Sequence, residues 1–430
     1  MKPGARLAAA IEILATVETR HQPVSIALAD WGKAHRFAGS GDRSAIGHLV
    51  YDALRDKASS AFVMGNDAPR ALALGSLRLR GATAETLTEL CTGQDHAPEP
   101  LAEDEHRRLD VVSLDSAPPW IAGNYPEWLH PSFEAAFGTR AKNEGQALAA
   151  RAPADLRVNT LKATGEKVAK ALQSFGAVEA QFATHGLRIA APTGDGRIPN
   201  LEAEAAFQAG WFEIQDEGSQ IAAALSGAAP RLQILDLCAG GGGKTLAMAA
   251  AMQNTGQIFA YDDDRNRLKP IFQRLKRANA RNVQVLRGGD SAALAALGDR
   301  FDIVLVDAPC TGSGTWRRRP DSKWKLRPRA LNERVAEQKS ILGLAARHVK
   351  PGGRLVYVTC SILPQENTGQ VAAFIDQNPD YGLVPFSTVW PGFLKGEAPQ
   401  SADGRADTLL LTPASHGTDG FFIAILEKRP

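Results

Sequence analysis

Asp236-Leu237-Cys238-Ala239-Gly240-Gly241-Gly242-Gly243-Lys244-Thr245 decides how the second half of this chain is read. The apolar run Gln233–Leu237 that leads into it has the composition of a buried strand, and an apolar helical pattern begins after Lys244. A glycine loop between strand and helix presents backbone N–H groups to an anion. Gly243-Lys244-Thr245 invites a triphosphate-binding reading, but that pattern requires glycine where Cys238 stands. The dinucleotide pattern fails as well, because its third glycine falls on Thr245 or on Leu246.

Outward from this loop, short apolar or β-branched runs recur at Ile258–Tyr261, Val283–Leu286, Ile303–Val306 and Arg354–Thr359. Helical stretches separate most of them, and Gly420–Leu426 offers one more strand. This alternation predicts an α/β fold with a parallel, doubly wound sheet. Asp262, Asp290, Asp307-Ala308-Pro309-Cys310 and Cys360 each follow a predicted strand, as the glycine loop does. Ligands of open α/β sheets bind at that edge. The loop suits a carboxylate, Asp262 the two hydroxyls of a ribose, and Asp290 an adenine edge. Together they describe S-adenosylmethionine.

Cys310 and Cys360 define the chemistry. Carbon 5 of a pyrimidine is a poor nucleophile until a thiolate adds at carbon 6 and makes it enamine-like. The added thiol needs a lowered pKa or a nearby base, and Asp307 can protonate ring nitrogen 3 during addition. The four cysteines (Cys91, Cys238, Cys310 and Cys360) form no CxxC pair, so neither a zinc site nor a disulfide scaffold is expected, and no metal.

The 430 residues imply at least two domains, and a net charge of +2 excludes a tail-driven polyanion binder. Residues 1 to about 97 read as helical, with apolar periodicity at Arg6–Leu14, Ser44–Leu54 and Ala71–Leu79. A Pro-rich, acidic stretch up to residue 119 suggests a linker. From 120 to 228, strands are expected at Leu156–Leu161, Leu187–Ala190 and Phe207–Gln215, with helices at Gly165–Phe175 and, capped by Asp216, Glu217–Leu225. Trp316–Arg329 carries seven cations, one acid and two tryptophans, a mixture suited to single-stranded or splayed RNA. The N-terminus holds Glu12 and Glu18 where a signal peptide would be apolar. With no long apolar span, the expectation is a soluble, cytoplasmic, monomeric protein without membrane contact.

With these residues in view, the sequence resembles the RsmB/Sun family of RNA cytosine-5 methyltransferases. The resemblance rests on 236–245, on 307–314, on Thr359-Cys360-Ser361-Ile362-Leu363-Pro364-Gln365-Glu366-Asn367, on 207–216 and on Arg157-Val158-Asn159-Thr160. It implies a Rossmann-like methyltransferase domain at 229–430, a small α+β RNA-binding segment at 120–228 and, more weakly, a NusB-like RNA-binding domain with its linker at 1–119. It also implies S-adenosylmethionine held by Cys238, Ala239, Gly240, Gly241, Gly242, Gly243, Lys244, Asp262, Asp290 and Asp307. Catalysis would fall to Cys360 as nucleophile, Cys310 in product release, Asp307 and Lys244. Ribosomal RNA is the implied substrate; transfer RNA, or a non-catalytic assembly factor, are the alternatives. One departure stands out. The family usually has Ala-Pro-Gly-Gly in the loop, whereas this chain has Ala239-Gly240-Gly241-Gly242-Gly243, and glycine in place of the proline predicts a more flexible loop.

Overall fold

The computed structural model describes residues 1–194, 196 and 199–430. Contacts divide the chain into two units. The first is built on Met1–Arg151 and takes in Pro192–Arg197 and Trp316–Lys325; the second holds Ala152–Ala191, Ile198–Thr315 and Leu326–Pro430.

The first unit is helical. Pro3–Arg20, Ser40–Arg55 and Pro69–Leu79 cover the three expected helices, and proline opens two of them at a position whose N–H has no partner in a helix. Leu7, Ile13, Ile46, Val50 and Leu74 line up at helical spacing and are buried in one core. The stretch expected as a linker carries the helix Glu103–Asp110. Leu109 is buried in the same core, and Arg70 pairs with Glu105 at 2.8 Å, so this part is anchored. The basic run also departs from expectation. Trp316, Arg317 and Lys323 are buried. Trp316 stacks on Phe133 at 6.2 Å, Trp324 Nε1 donates to the Leu54 carbonyl at 2.7 Å, and Lys323 Nζ lies 3.4 Å from the Arg55 carbonyl. Both tryptophans are therefore spent on the unit's own packing, and Arg318, Arg319 and Lys325 remain on its surface.

The second unit contains two sheets. The smaller is antiparallel, with β1 (Ala154–Val158), β2 (Val178–Glu179), β3 (Gly186–Ile189) and β4 (Phe212–Ile214) in the order β2-β3-β1-β4. Alternation along β1 sends Leu156 and Val158 into a core with Leu187 and Phe212, and Asp155 and Arg157 to the opposite face. The expected strand Phe207–Gln215 is only three residues long. Phe207 ends the helix Ala205–Gln208, and Gly210, at φ +74°, turns the chain before β4 begins. Asp216 caps the helix Glu217–Ala224 by accepting the Gly218 N–H at 2.8 Å.

The larger sheet has β5 (Gln233–Asp236), β6 (Gln257–Ala260), β7 (Val283–Val285), β8 (Phe301–Asp307), β9 (Val349–Thr359), β10 (Tyr381–Val384), β11 (Leu409–Leu411) and β12 (Phe421–Lys428). The order is β10-β12-β9-β8-β5-β6-β7, with β11 beside β12. β5 to β9 run parallel, and β12 returns antiparallel to β9. This is the doubly wound α/β sheet that the alternation predicts. The strand order reverses at β5, whose neighbours are β6 and β8, and this opens a crevice beyond their carboxyl ends.

Candidate active site

A cavity of about 480 Å³ lies at this crevice. Its wall includes Cys238, Ala239, Gly240, Gly241, Gly243, Lys244, Asp262, Asp307, Cys310 and Cys360, so ten of the residues singled out from the sequence meet in one place. Gly242 and Asp290 are not on that wall. Gly242 is the N-cap of the helix Gly243–Ala251 at φ +82°, and Asp290 caps the helix Ser291–Ala295 by accepting the Ala293 N–H at 2.9 Å. The cap uses only Oδ1 of Asp290.

The loop follows a path that proline cannot take. Gly240 has φ +49°, and its N–H donates to Asp262 Oδ2 at 3.0 Å. Proline is fixed near −65° and has no N–H. Gly240 is therefore used twice, once for its backbone angle and once as a donor. The other oxygen of Asp262 accepts from Asp264 N–H at 2.9 Å and lies 3.3 Å from Arg267.

Charge is concentrated behind the loop. Lys244 Nζ reaches Asp307 Oδ2 at 2.6 Å, with the lysine buried and the aspartate half-exposed to the cavity. Asp236, at the end of β5, accepts the Thr245 hydroxyl at 2.6 Å, while its second oxygen is buried without a partner. Burial pushes this carboxyl up to about 7, and the charge of Asp307 adds to the shift. Burial likewise raises the Cys238 thiol well above its usual range, which leaves it an unreactive thiol.

Cys310 and Cys360 stand 3.3 Å apart, sulfur to sulfur. Their loops are pinned by Glu366, fully buried, which accepts Thr311 N–H at 2.8 Å, the Thr311 and Ser361 hydroxyls at 2.5 Å and Gln338 Nε2 at 3.0 Å. Gln338 also donates to the Pro309 carbonyl at 2.9 Å. The hydrogen bond with Cys360, and then burial, raises the Cys310 thiol well above its usual range. Cys310 is thus held as a thiol.

The cavity fits the cofactor inferred from the sequence. Cβ atoms added at Gly240 or Gly243 would meet nothing closer than 3.8 Å, so the loop leaves a cradle against the first turn of the helix. Its N–H groups suit a carboxylate, and Asp236, Asp262 and Asp307 suit a cationic sulfonium. Other wall residues escaped the sequence reading, among them Gln215, Ser219, Arg267, Arg274 and Arg334. Arg267 and Arg274 come from the helices Arg265–Leu268 and Pro270–Ala278. Arg274 donates to the Gly241 carbonyl at 2.7 Å and so supports the loop.

Against this geometry, the family model described as 16S rRNA methyltransferase RsmB/F matches residues 225–427. A second model, the ferredoxin-like domain of the RsmF/B-like methyltransferases, matches residues 125–194. A ribosomal RNA small subunit methyltransferase B from Serratia proteamaculans is 30% identical over 88% of this chain and 80% of its own. The chain belongs to the RsmB/F methyltransferase family. The corresponding Erwinia tasmaniensis protein is 33% identical over 71% of this chain, and the matched part spans 66% of that protein's length. Among solved structures, PH0851 is 27% identical with a TM-score of 0.72, covering 100% of this chain and 99% of its own. The RsmB/F membership thus accounts for the sheet, its glycine loop and the ferredoxin-like fold of the small sheet together.

Proposed function

We propose that this chain transfers a methyl group from S-adenosylmethionine to carbon 5 of a cytosine in small-subunit ribosomal RNA. One observation carries the reading: two thiols in contact face the cavity that also holds the Lys244–Asp307 pair. Binding alone needs no nucleophile, so the pair argues against a purely structural assembly factor. The 16S rRNA description of the family, and the names of the Serratia and Erwinia relatives, favour ribosomal RNA over transfer RNA.

The cofactor, when bound, supplies an electrophilic methyl group. Residues 238–244 and Asp262 hold it, with its carboxylate toward the helix N-terminus. Cys360 Sγ forms a bond to carbon 6 while ring nitrogen 3 takes a proton from the Asp307–Lys244 pair. The electron pair arriving at carbon 5 would form the new bond to the methyl carbon as the sulfonium C–S bond breaks to leave a neutral thioether. The carbon-5 proton is then lost to water on the Cys310 side, the Sγ–C6 bond breaks with its electron pair returning to Sγ, and nitrogen 3 returns its proton. Cys310 is poorly suited to attack first, because it is held as a thiol. Asp290 caps its helix through Oδ1, and its other oxygen is assigned to the adenine edge.

We read residues 1–119 as a NusB-like RNA-binding domain, 120–228 as an RNA-contacting segment and 229–430 as the catalytic domain. The test uses methyl-labelled S-adenosylmethionine and unmodified, protein-free small-subunit ribosomal RNA, digested to nucleosides. Labelled 5-methylcytidine is the expected product. Label found only with transfer RNA would move the substrate, and no transfer to any RNA would overturn the reading.

A further inference from the structure

A second cavity, of about 710 Å³, lies in the same unit between the small sheet, the helices Glu217–Ala224 and Gly243–Ala251, and the loop Pro391–Leu394. None of its wall residues borders the cofactor cavity. Its floor is alanine, with Ala223 and Ala224 from one helix and Ala247, Ala250 and Ala251 from the other. Side chains that stop at Cβ leave a flat apolar surface. The rings of Phe393 and His185 also border the cavity.

Two polar groups on this wall are incompletely satisfied. Arg157 is 7% exposed, and its Nε donates to Gln215 Oε1 at 2.7 Å. Among the described residues no carboxylate pairs with it. Glu213, its register partner on β4, is taken by Arg274 at 2.9 Å and Arg277 at 2.6 Å. Burial lowers the guanidinium to about 10, so it remains charged at neutral pH. Gln220, 5% exposed, donates through Nε2 to the Gln215 carbonyl at 2.8 Å, and its Oε1 has no partner. A buried cation without a counter-ion is costly, and an anion brought to it gains a charge-assisted hydrogen bond in a low-dielectric setting.

We propose that this cavity is a nucleotide-binding site, with a phosphate on Arg157, a ring N–H or amine on Gln220 Oε1, and a planar base on the alanine floor beside Phe393. The ligand must combine an anion, a donor and a flat apolar body, and a nucleotide has all three. The site does not depend on methyl transfer. Its nucleotide comes either free or as one residue of an RNA strand, and the chemistry is the same.

The experiment is calorimetric titration of GMP into the full chain under saturating S-adenosylmethionine, which closes the adenosine-binding part of the other cavity. GMP is expected to bind at one site, guanosine at least tenfold more weakly. Arg157→Met is expected to weaken GMP at least tenfold, and so is Ala251→Trp, which fills the rim from an exposed position. Both should bind S-adenosylmethionine as the parent does. If Arg157→Met fails to fold, Ala251→Trp alone decides. No GMP binding under these conditions, or GMP affinity unchanged in Ala251→Trp, would overturn the proposal. Competition by a short single-stranded RNA would assign the nucleotide to a strand, and undiminished GMP binding in its presence to a free ligand. If GMP binds as expected while no RNA is methylated, this site stands and the methyl-transfer reading falls.

Discussion

At the residue scale, the two thiols act as a pair. Their sulfurs are 3.3 Å apart, and the contact and burial raise the Cys310 thiol above its usual range. A thiolate is the nucleophile in addition chemistry, and the proposed function gives that role to Cys360 on the family resemblance. Cys360→Ala is expected to abolish labelled 5-methylcytidine, a loss of at least a thousandfold, while cofactor affinity stays within twofold. Cys310→Ala is expected to make the first bond and stall before release. It should therefore accumulate a protein–RNA adduct that survives denaturing electrophoresis. An adduct formed by Cys360→Ala, with none from Cys310→Ala, would reverse the two roles.

At the scale of elements, the site is assembled where the loops after β8 and β9 are tied together by Glu366. Its carboxylate accepts four hydrogen bonds from Thr311, Ser361 and Gln338 in a dry setting. Glu366→Gln keeps the shape but swaps one acceptor for a donor, which faces groups that already donate. Bonds to a buried charge are worth about 1.5–3 kcal/mol each, less any relaxation. A fall in methyl-transfer rate of more than tenfold, with unchanged cofactor binding and a lowered melting temperature, is the expected result. Wild-type turnover would show that the loops hold their spacing without it. The glycine loop permits a second, paired measurement. A methyl group at Gly240 meets nothing closer than Asp262 Oδ2 at 3.9 Å, an ordinary contact, so Gly240→Ala costs about 1 kcal/mol for its left-handed backbone. At Gly242 the same methyl lands 2.5 Å from Ile271 Cγ1, a buried side chain. Overpacking adds about 1–3 kcal/mol, so Gly242→Ala should be the less stable in denaturant titration. Equal losses would mean that the Ile271 side chain moves aside freely.

These elements also show what could be read beforehand. Lys244, Asp262, Asp307, Cys310 and Cys360 were legible because a chemical residue at a strand's carboxyl end has one place to go in a doubly wound sheet. Asp290 satisfied the same rule, and one of its oxygens also caps the helix that follows by accepting the Ala293 N–H. Glu366 stood inside a quoted motif without a role, because two of its three partner residues, Thr311 and Gln338, come from segments far from it in sequence. The sheet was legible from alternation, and the short β4 was not, because one left-handed glycine decided where it starts.

At the scale of the whole chain, the two units carry buried groups that titrate in opposite senses. Lys323 in the helical unit has its pKa lowered by burial from 10.5 to about 7, and Asp236 in the second unit has its own raised by burial from 3.8 to about 7. Between about 7 and 10.5 the unfolded lysine holds a proton that the folded one has released. The unfolded state then binds more protons, and stability of the helical unit rises with pH in that window. For Asp236 the folded state holds the extra proton between about 3.8 and 7. Its contribution is full below 3.8 and is lost as pH rises through about 7. Melting temperatures measured at pH 5.5, 7 and 9 are therefore expected to include a transition that strengthens toward pH 9 and another that weakens from pH 5.5 to 7. Lys323→Met removes an ammonium whose described oxygen partner is a single backbone carbonyl at 3.4 Å, and keeps most of the packing. It should raise the first transition by several degrees at pH 7 and flatten its slope, leaving the second untouched. Asp236→Asn should flatten the second alone. If Lys323→Met lowers the first transition at pH 7, the buried ammonium is stabilising there, and the run Trp316–Lys325 is held by charge rather than by its tryptophans.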